Sequence, residues 1–136
     1  MPKKFHMTPK GFHPFADLIG LIFTKLEQGY SQCTLEVVDK LLNPHNVVHG
    51  GVLYSMADTG MGAAAYTTLA KNEICATIEI KINYFKAIKT GVLTCNTNVI
   101  YQGKKIVTMD SEIFNNDKIV AKAIGTYSIF QPKINS

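Results

Sequence analysis

Hydrophobic and polar residues alternate along the second half of the chain with the two-residue period of a β-strand. From Glu73 to Phe85, one face carries apolar or small side chains and the other carries mainly polar ones. Successive strand residues point to opposite faces, so this pattern predicts a half-buried strand. The residues expected on its core side are Ile74, Ala76, Ile78, Ile80, Ile82 and Tyr84.

Three more strands are predicted after this one. They are Val92–Tyr101, Lys105–Phe114 and Lys118–Phe130. Because their connections are short, we expect antiparallel neighbours. Near the start of the chain, His13–Leu21 has the pattern of a short amphipathic helix, and the segment TLEVVDKLL within Gly29–Leu42 predicts a strand.

A long segment between these regions, Gly50–Ala70, is apolar or small on nearly every side. Its length would suit a membrane span, but Asp58, further glycines and several hydroxyl residues argue against exposure to lipid. A helix of this kind must be covered by a sheet or by a partner. We therefore predict an α+β fold, with an antiparallel sheet curled around a central helix, in a single domain over residues 1–136.

Composition and charge narrow the class of protein. All fourteen basic residues are lysine and the net charge is +4. Bidentate reading of base edges favours arginine, so this chain is expected to bind a small anionic ligand rather than nucleic acid. The N-terminal lysines, Lys3 and Lys4, are not followed by an apolar run, and the three cysteines form no CxxC pair. These features predict a cytoplasmic protein that neither crosses nor binds a membrane.

Residues with candidate chemistry lie at the start and in the middle of the predicted central helix. The pair Gly50-Gly51 follows His49, and the first N–H groups of a helix have no intrahelical partner. Without a Cβ, these glycines would let a substrate carbonyl approach those N–H groups. Asp58 is a single carboxylate among apolar residues, and burying it unpaired costs several kcal/mol. It therefore needs a hydrogen-bonding partner, a proton or a chemical use.

The spacing N-x5-HGG-x6-D, from Asn43 to Asp58, resembles the hotdog-fold acyl-CoA thioesterases, most closely the PaaI-like branch associated with phenylacetic acid degradation. The resemblance extends over roughly the whole chain, including the HPFADLIGL start and the INYFKA strand end. It implies hydrolysis of acyl-CoA by a homodimer or a tetramer of two dimers, without a metal or another cofactor.

The resemblance also implies roles for individual residues. The Gly50 N–H would stabilise the oxyanion, with Asn43 and His49 orienting the thioester and Thr77 holding the lytic water. Asp58 would act as a general base or as a nucleophile, and the sequence leaves both possibilities open. Residues expected to contact the substrate, including its nucleotide, are Gly51, Tyr84, Lys86, Lys89, Gly103, Lys104 and Lys105.

Helical geometry constrains how Gly50 and Asp58 can cooperate. The two residues are eight positions apart, which corresponds to roughly 12 Å along one helix axis. One thioester carbonyl cannot lie within hydrogen-bonding distance of both. If both act on the same substrate, they must come from different subunits.

Other functions are compatible with parts of this sequence. His45 and His49 have a metal-pair spacing, but Pro44 interrupts the helix that would align them. A hotdog dehydratase acting on a hydroxyacyl thioester also combines a histidine with an acid, and a non-catalytic acyl-CoA-binding module is a further alternative. The acyl group stays open between aromatic and medium-chain types. Candidate pocket residues are Phe12, Phe15, Tyr54, Met56, Met61 and Tyr66.

Overall fold

The computed structural model describes residues 13–133. Lys3, Lys4 and Phe12, for which expectations are given above, lie outside these residues. The helices are α1 (Pro14–Ile19) and α2 (Gly50–Tyr66), and a short 3-10 turn covers Asp39–Leu41. The strands are β1 (Leu21–Glu27), β2 (Tyr30–Glu36), β3 (Ile74–Tyr84), β4 (Val92–Gln102), β5 (Ile106–Asn115) and β6 (Lys118–Phe130).

The six strands form one antiparallel sheet in the order β1-β2-β4-β5-β6-β3, and α2 packs against one of its faces. The predicted α+β architecture, an antiparallel sheet around a long central helix, is therefore confirmed. The core between helix and sheet includes Leu53, Met56 and Met61 from α2, together with Leu93 and Ile113 from the sheet. Two of the candidate pocket residues, Met56 and Met61, are thus fully buried core residues.

Small residues let α2 approach the sheet closely. A Cβ on Gly60 would lie 2.9 Å from the Thr97 Oγ1 atom, which is closer than side chains normally approach. The Ser31 hydroxyl donates a hydrogen bond of 2.7 Å to the Gly60 carbonyl, and a second buried bond of 2.7 Å joins Thr97 to Ser111. Burying a hydroxyl without a hydrogen bond costs free energy, and these hydroxyls have their partners. This group of buried hydroxyls therefore joins the middle of α2 to the sheet.

A β-bulge divides β3 and changes which of its residues face the core. Thr77 pairs with Tyr127 and Glu79 pairs with Thr126, so Ile78 is the extra residue. Before the bulge, the odd-numbered residues, such as Thr77, face the helix; after it, even-numbered residues such as Ile80 do so. Ile78 itself is 59% exposed. The prediction of one continuous apolar face was wrong, because a bulge inserts one residue and reverses the alternation.

The short connections predicted that consecutive strands would be neighbours in the sheet, and this is not so for β3 and β4. β3 pairs with β6, and β4 pairs with β2 and β5, so β3 and β4 are not neighbours despite their short connection. β3 lies at one edge of the sheet and β1 at the other. The predicted positions of β4, β5 and β6 agree with the structure to within one residue at each end.

The first third of the chain shows three further differences. The predicted helix His13–Leu21 is shorter, because Gly20 ends it in the left-handed region at φ 79°. β1 was not predicted, since exposed Ile22 lies between buried Leu21 and Phe23 and hides the two-residue period. The segment TLEVVDKLL leaves the sheet at Glu36, where pairing with β4 ends.

Candidate active site

Asp58 lies half-buried on the third turn of α2, facing the sheet at β3 and β6. Its Oδ1 atom accepts a hydrogen bond of 2.8 Å from the Thr77 hydroxyl and one of 2.5 Å from the Tyr127 hydroxyl. Within residues 13–133, no hydrogen bond to Oδ2 is found. The carboxylate therefore has the partners that its burial requires, and both of them bind the same oxygen.

Tyr127 was not singled out from the sequence. It lies on β6 directly opposite Thr77, and only 2% of its surface is exposed. Burial raises the pKa of the Tyr127 phenol far above its ordinary value, and the hydrogen bond to the Asp58 carboxylate raises it further. The phenol therefore keeps its proton at any working pH. The only sequence signal was a tyrosine at an inward position of the last predicted strand.

A pocket of about 380 Å³ opens beside Asp58. Its lining combines the polar groups of the site with aromatic and small residues. Among the candidate pocket residues, Phe15 and Tyr66 lie in this wall, whereas Tyr54 does not. Besides Asp58, its lining residues include Phe15, Phe23, Gly62, Tyr66, Thr77 and Tyr127. The volume is in the range of small-molecule sites, and its walls are suited to an apolar group.

His49 caps the N-terminus of α2. Its Nδ1 atom accepts the Gly51 N–H at 2.8 Å, and its carbonyl oxygen accepts the Val52 N–H at 2.9 Å. For the Gly50 N–H, no acceptor is found within the described part of the chain. A Cβ on Gly51 would lie 2.9 Å from the His49 Nδ1 atom, so the cap requires glycine or a shift of the imidazole. The helix thus begins with one N–H donor available at the positive end of its dipole.

Tyr84, at the end of β3, packs directly on this helix start. Its hydroxyl donates a hydrogen bond of 2.8 Å to the Gly50 carbonyl, and a Cβ on Gly50 would lie 3.2 Å from its ring. Both residues line a separate pocket of about 280 Å³, together with Phe85 and Lys86. Burial raises the pKa of Tyr84. Tyr84, expected to contact substrate, therefore also supports the Gly50 backbone.

Asn43 organises the loop that precedes α2. Its Oδ1 atom accepts the His45 N–H at 2.8 Å and the Val47 N–H at 3.4 Å, and its carbonyl accepts the Asn46 N–H. The side-chain oxygen is therefore engaged inside the loop, whereas no hydrogen bond of the side-chain amide nitrogen is found among the described residues. Among the described residues, no group of three or more histidine, cysteine, aspartate or glutamate side chains could hold a metal ion.

The two groups of lysines lie at opposite ends of α2 within one chain. Lys86 and Lys89 follow the end of β3, close to the helix start. The turn carrying Lys104 and Lys105 lies near the other end, where the Gln102 side chain donates to the Thr68 carbonyl at 3.2 Å. All four lysines are exposed. The Gly103 N–H donates to the Ile106 carbonyl within the turn, so this donor, which was expected to contact substrate, is already engaged.

Comparison with known proteins places the fold among the hotdog proteins. The chain superposes on a conserved Pseudomonas aeruginosa protein of known structure with a TM-score of 0.85 and 30% identity, covering 90% of this chain and 100% of that one. The structure of Escherichia coli PaaI, from the phenylacetic acid degradation operon, gives a TM-score of 0.82 at 26% identity, covering 91% and 89%.

Sequence comparison identifies the family. The thioesterase superfamily profile matches residues 45–122, which include the HGG sequence, Asp58 and Thr77. The acyl-coenzyme A thioesterase PaaI of E. coli is 30% identical over 104 residues, covering 76% of this chain and 72% of that protein. A Saccharolobus solfataricus protein named provisionally as an esterase is 37% identical over 116 residues, covering 85% and 77%. The chain belongs to the thioesterase superfamily, and within it to the PaaI-like hotdog proteins.

Proposed function

We propose that this protein hydrolyses an aromatic or medium-chain acyl-CoA to the free acid and CoA. The observation that carries the proposal is the Asp58 carboxylate in its pocket, held through Oδ1 and without a described hydrogen bond to Oδ2. A free carboxylate oxygen beside an apolar pocket is suited to act on the carbonyl carbon of a bound acyl group, either directly or through water. The name of the PaaI relative supports the choice of acyl-CoA as substrate.

The proposed reaction needs a donor for the charge that develops on the thioester oxygen. The Gly50 N–H supplies it, because this donor has no described acceptor and lies at the positive end of the α2 dipole. Asp58 then acts as a base toward water or as a nucleophile toward the carbonyl. In the first case Thr77, whose proton is directed to Asp58, accepts a hydrogen bond from the water. When Asp58 is the base, the proton that it takes from water passes to the departing CoA thiolate. When Asp58 is the nucleophile, the thiolate leaves with formation of a mixed anhydride, and a water molecule then hydrolyses the anhydride, which releases the acid, restores the carboxylate and supplies the proton for the thiolate.

Gly50 and Asp58 must come from different subunits in this scheme. Along one helix they are roughly 12 Å apart, and in one chain they line two different pockets. We therefore propose a homodimer, or a tetramer of two dimers, in which each active site combines the helix start of one protomer with Asp58 of its partner.

Strand β3 offers the surface for this pairing. It is an edge strand, and exposed strand edges pair readily with another chain. Thr77 contacts Asp58, and Tyr84 contacts Gly50. Antiparallel pairing of two β3 strands centred on Lys81, with Ile78 as the extra residue of each strand, would put Tyr84 of one protomer opposite Thr77 of the other. The helix start of each protomer then lies near the partner's Asp58.

The same arrangement would bring the two groups of lysines together. The Lys105 carbonyl accepts the Ile129 N–H at 2.8 Å, so this turn lies beside the end of β6. There β6 pairs with the start of β3, because Phe130 is opposite Ile74. Since the partner's β3 runs in the opposite direction, its Lys86 and Lys89 would lie at the same end of the combined sheet as this turn, across β6 and β3 from it. Cations from both subunits would then meet the phosphates of one CoA.

The acyl group is proposed to occupy the pocket beside Asp58, against Phe15, Phe23 and Tyr66. The proposal is tested with a series of CoA thioesters, both aromatic and straight-chain from acetyl to dodecanoyl, by following release of the CoA thiol. We expect the highest kcat/KM for an aromatic or medium-chain member. If the folded protein hydrolyses none of them, the proposal is wrong. Formation of an unsaturated product from a hydroxyacyl-CoA would favour the dehydratase alternative.

We expect the substitutions Lys104→Ala and Lys105→Ala together to raise KM for acyl-CoA several-fold with little change in kcat. Each exposed ammonium–phosphate contact contributes only ~0.2–1 kcal/mol and weakens as salt rises. Such binding is lost equally from the ground state and the transition state, so it appears in KM. The measurement is steady-state kinetics at low and high salt.

The N-acetylcysteamine thioester of the same acid is the control substrate, because it has no phosphates. Its KM should not change in the Lys104→Ala, Lys105→Ala variant. A second control is Lys25→Ala, which removes an exposed lysine from β1 at the far edge of the sheet. If KM rises equally for both substrates, the lysines act on the fold or the acyl pocket and not on the nucleotide.

A further inference from the structure

The Tyr127 hydroxyl contacts Asp58 at two points. It lies 2.5 Å from the carboxylate Oδ1 atom and 2.6 Å from the backbone carbonyl oxygen of the same residue. A phenol has one proton, so these two acceptors share it, and the bond to the charged oxygen is the stronger one. Tyr127 therefore fixes the Asp58 side chain relative to its own backbone.

Thr77 completes this arrangement through the register of the sheet. Thr77 and Tyr127 are directly opposite each other on β3 and β6, and the bulge at Ile78 begins immediately after Thr77. The bulge allows Thr77 to face the helix although Ile80 and Ile82, with even numbers, also pack toward the core. Both hydroxyls consequently reach the same carboxylate oxygen, at 2.8 and 2.5 Å.

We infer that Tyr127 is a positioning residue that orients Asp58 so that Oδ2 is directed to the reacting groups. This inference rests on the proposed thioester hydrolysis, because it assigns Oδ2 as the atom that acts on water or the carbonyl. With Oδ1 bound by two donors, rotation of the carboxylate would break both hydrogen bonds. Tyr127 belongs to the wall of the pocket but is only 2% exposed, so its effect on the reaction passes through the Asp58 carboxylate.

The burial of Tyr127 suits this role. Its ring packs near Gly62, where an added Cβ would lie 3.9 Å from the ring. Because burial and the Asp58 carboxylate raise the pKa of this phenol, it remains a hydrogen-bond donor over the whole working range. Removing the hydroxyl leaves the Asp58 carbonyl within its helix and the ring in the core. The fold should therefore tolerate Tyr127→Phe.

The first test is kinetic. Tyr127→Phe should lower kcat by about 10-fold and leave KM within about twofold, since misplacement of a reacting group by a fraction of an ångström is felt in the chemical step. In the Asp58→Ala background, the same substitution should have no further effect, because a residue acting only through Asp58 loses its influence when Asp58 is absent. Tyr30→Phe is the matched control: its hydroxyl donates to Asn96 Oδ1, away from the pocket, and its kcat should be unchanged.

The second test does not depend on turnover. A hydroxyl proton in a short bond to a carboxylate gives a far-downfield proton resonance in NMR spectra. We expect this resonance in the wild-type protein and in Tyr30→Phe, and its loss in both Tyr127→Phe and Asp58→Ala. Its absence from the wild-type protein would overturn the inference, even if no acyl-CoA were hydrolysed. A normal kcat in Tyr127→Phe, in a wild-type enzyme that does hydrolyse acyl-CoA, would overturn it while leaving the proposed function intact.

Discussion

Asp58→Ala should lower the turnover of acyl-CoA by at least ~100-fold, the usual scale for a positioned general base. The expected loss has a structural reason, because the carboxylate is the charged group held at the pocket by two hydroxyls. The measurement is kcat for the preferred acyl-CoA of the series, with thermal unfolding of the variant recorded beside it. A loss of this size would apply equally to a base and to a nucleophile.

The fold should survive this substitution. After removal of the carboxylate, the Tyr127 hydroxyl keeps an acceptor in the backbone carbonyl of residue 58, which lies 2.6 Å away when the aspartate is present. Asp58→Asn is the conservative variant, since it preserves shape while removing the charge, and it should be similarly inactive. Asp117→Ala, at an exposed turn, is the matched control and should be fully active. Near-normal turnover in a well-folded Asp58→Ala protein would remove Asp58 from the mechanism.

His49→Ala and Asp58→Ala should each be nearly inactive alone, yet recover about a quarter of wild-type activity when refolded together. In an equal mixture, about half of the dimers contain one chain of each kind, and symmetry leaves one intact site in each mixed dimer. The intact site combines the helix start of the Asp58→Ala chain with the Asp58 of the His49→Ala chain. Activity is measured after refolding, and the fraction of mixed dimers is determined by native mass spectrometry.

A second mixture serves as the control for recovery. Thr77 contacts Asp58 within one chain, so Thr77→Val and Asp58→Ala damage the same half of the site. Mixed dimers of these two variants contain no intact site and should show no gain over the separate proteins. Loss of the His49 cap costs roughly 0.5–2 kcal/mol, so thermal unfolding must show that His49→Ala is folded. If verified mixed dimers show no recovery in the first mixture, each site is built within one chain.

The sequence predicted much of the local structure correctly because the relevant signals are local. The central helix, and the strands β4 to β6, follow from residue spacing and turn residues within a few positions. His49 before two glycines indicated the start of α2, and the structure adds the reason: the imidazole accepts the Gly51 N–H. Asp58 could also be selected from local sequence, because it is a single acid in an apolar helix and a buried charge needs a partner.

Other features depend on contacts between distant segments and could not be read from spacing. The bulge at Ile78 depends on how β3 pairs with β6, so the alternation of Glu73–Phe85 alone predicted the wrong face for Thr77. β3 is separated from β4 in the sheet because it pairs with β6, a strand distant in the sequence. Tyr127 gave almost no signal, because an inward aromatic residue on a strand is usually core, and only its position opposite Thr77 brings it to Asp58.

The sequence by itself determined the helix, its glycine start, its single acid and the distance between them, since a helix has a fixed rise per residue. That distance already required two subunits if Gly50 and Asp58 act on one thioester. Only the tertiary structure decided what surrounds the acid: two hydroxyls from different strands on one oxygen, and a pocket lined partly by aromatic residues. The physical reason is that strand register and bulges depend on pairing between distant segments, whereas the periodicity of a helix depends on residues close together in the sequence.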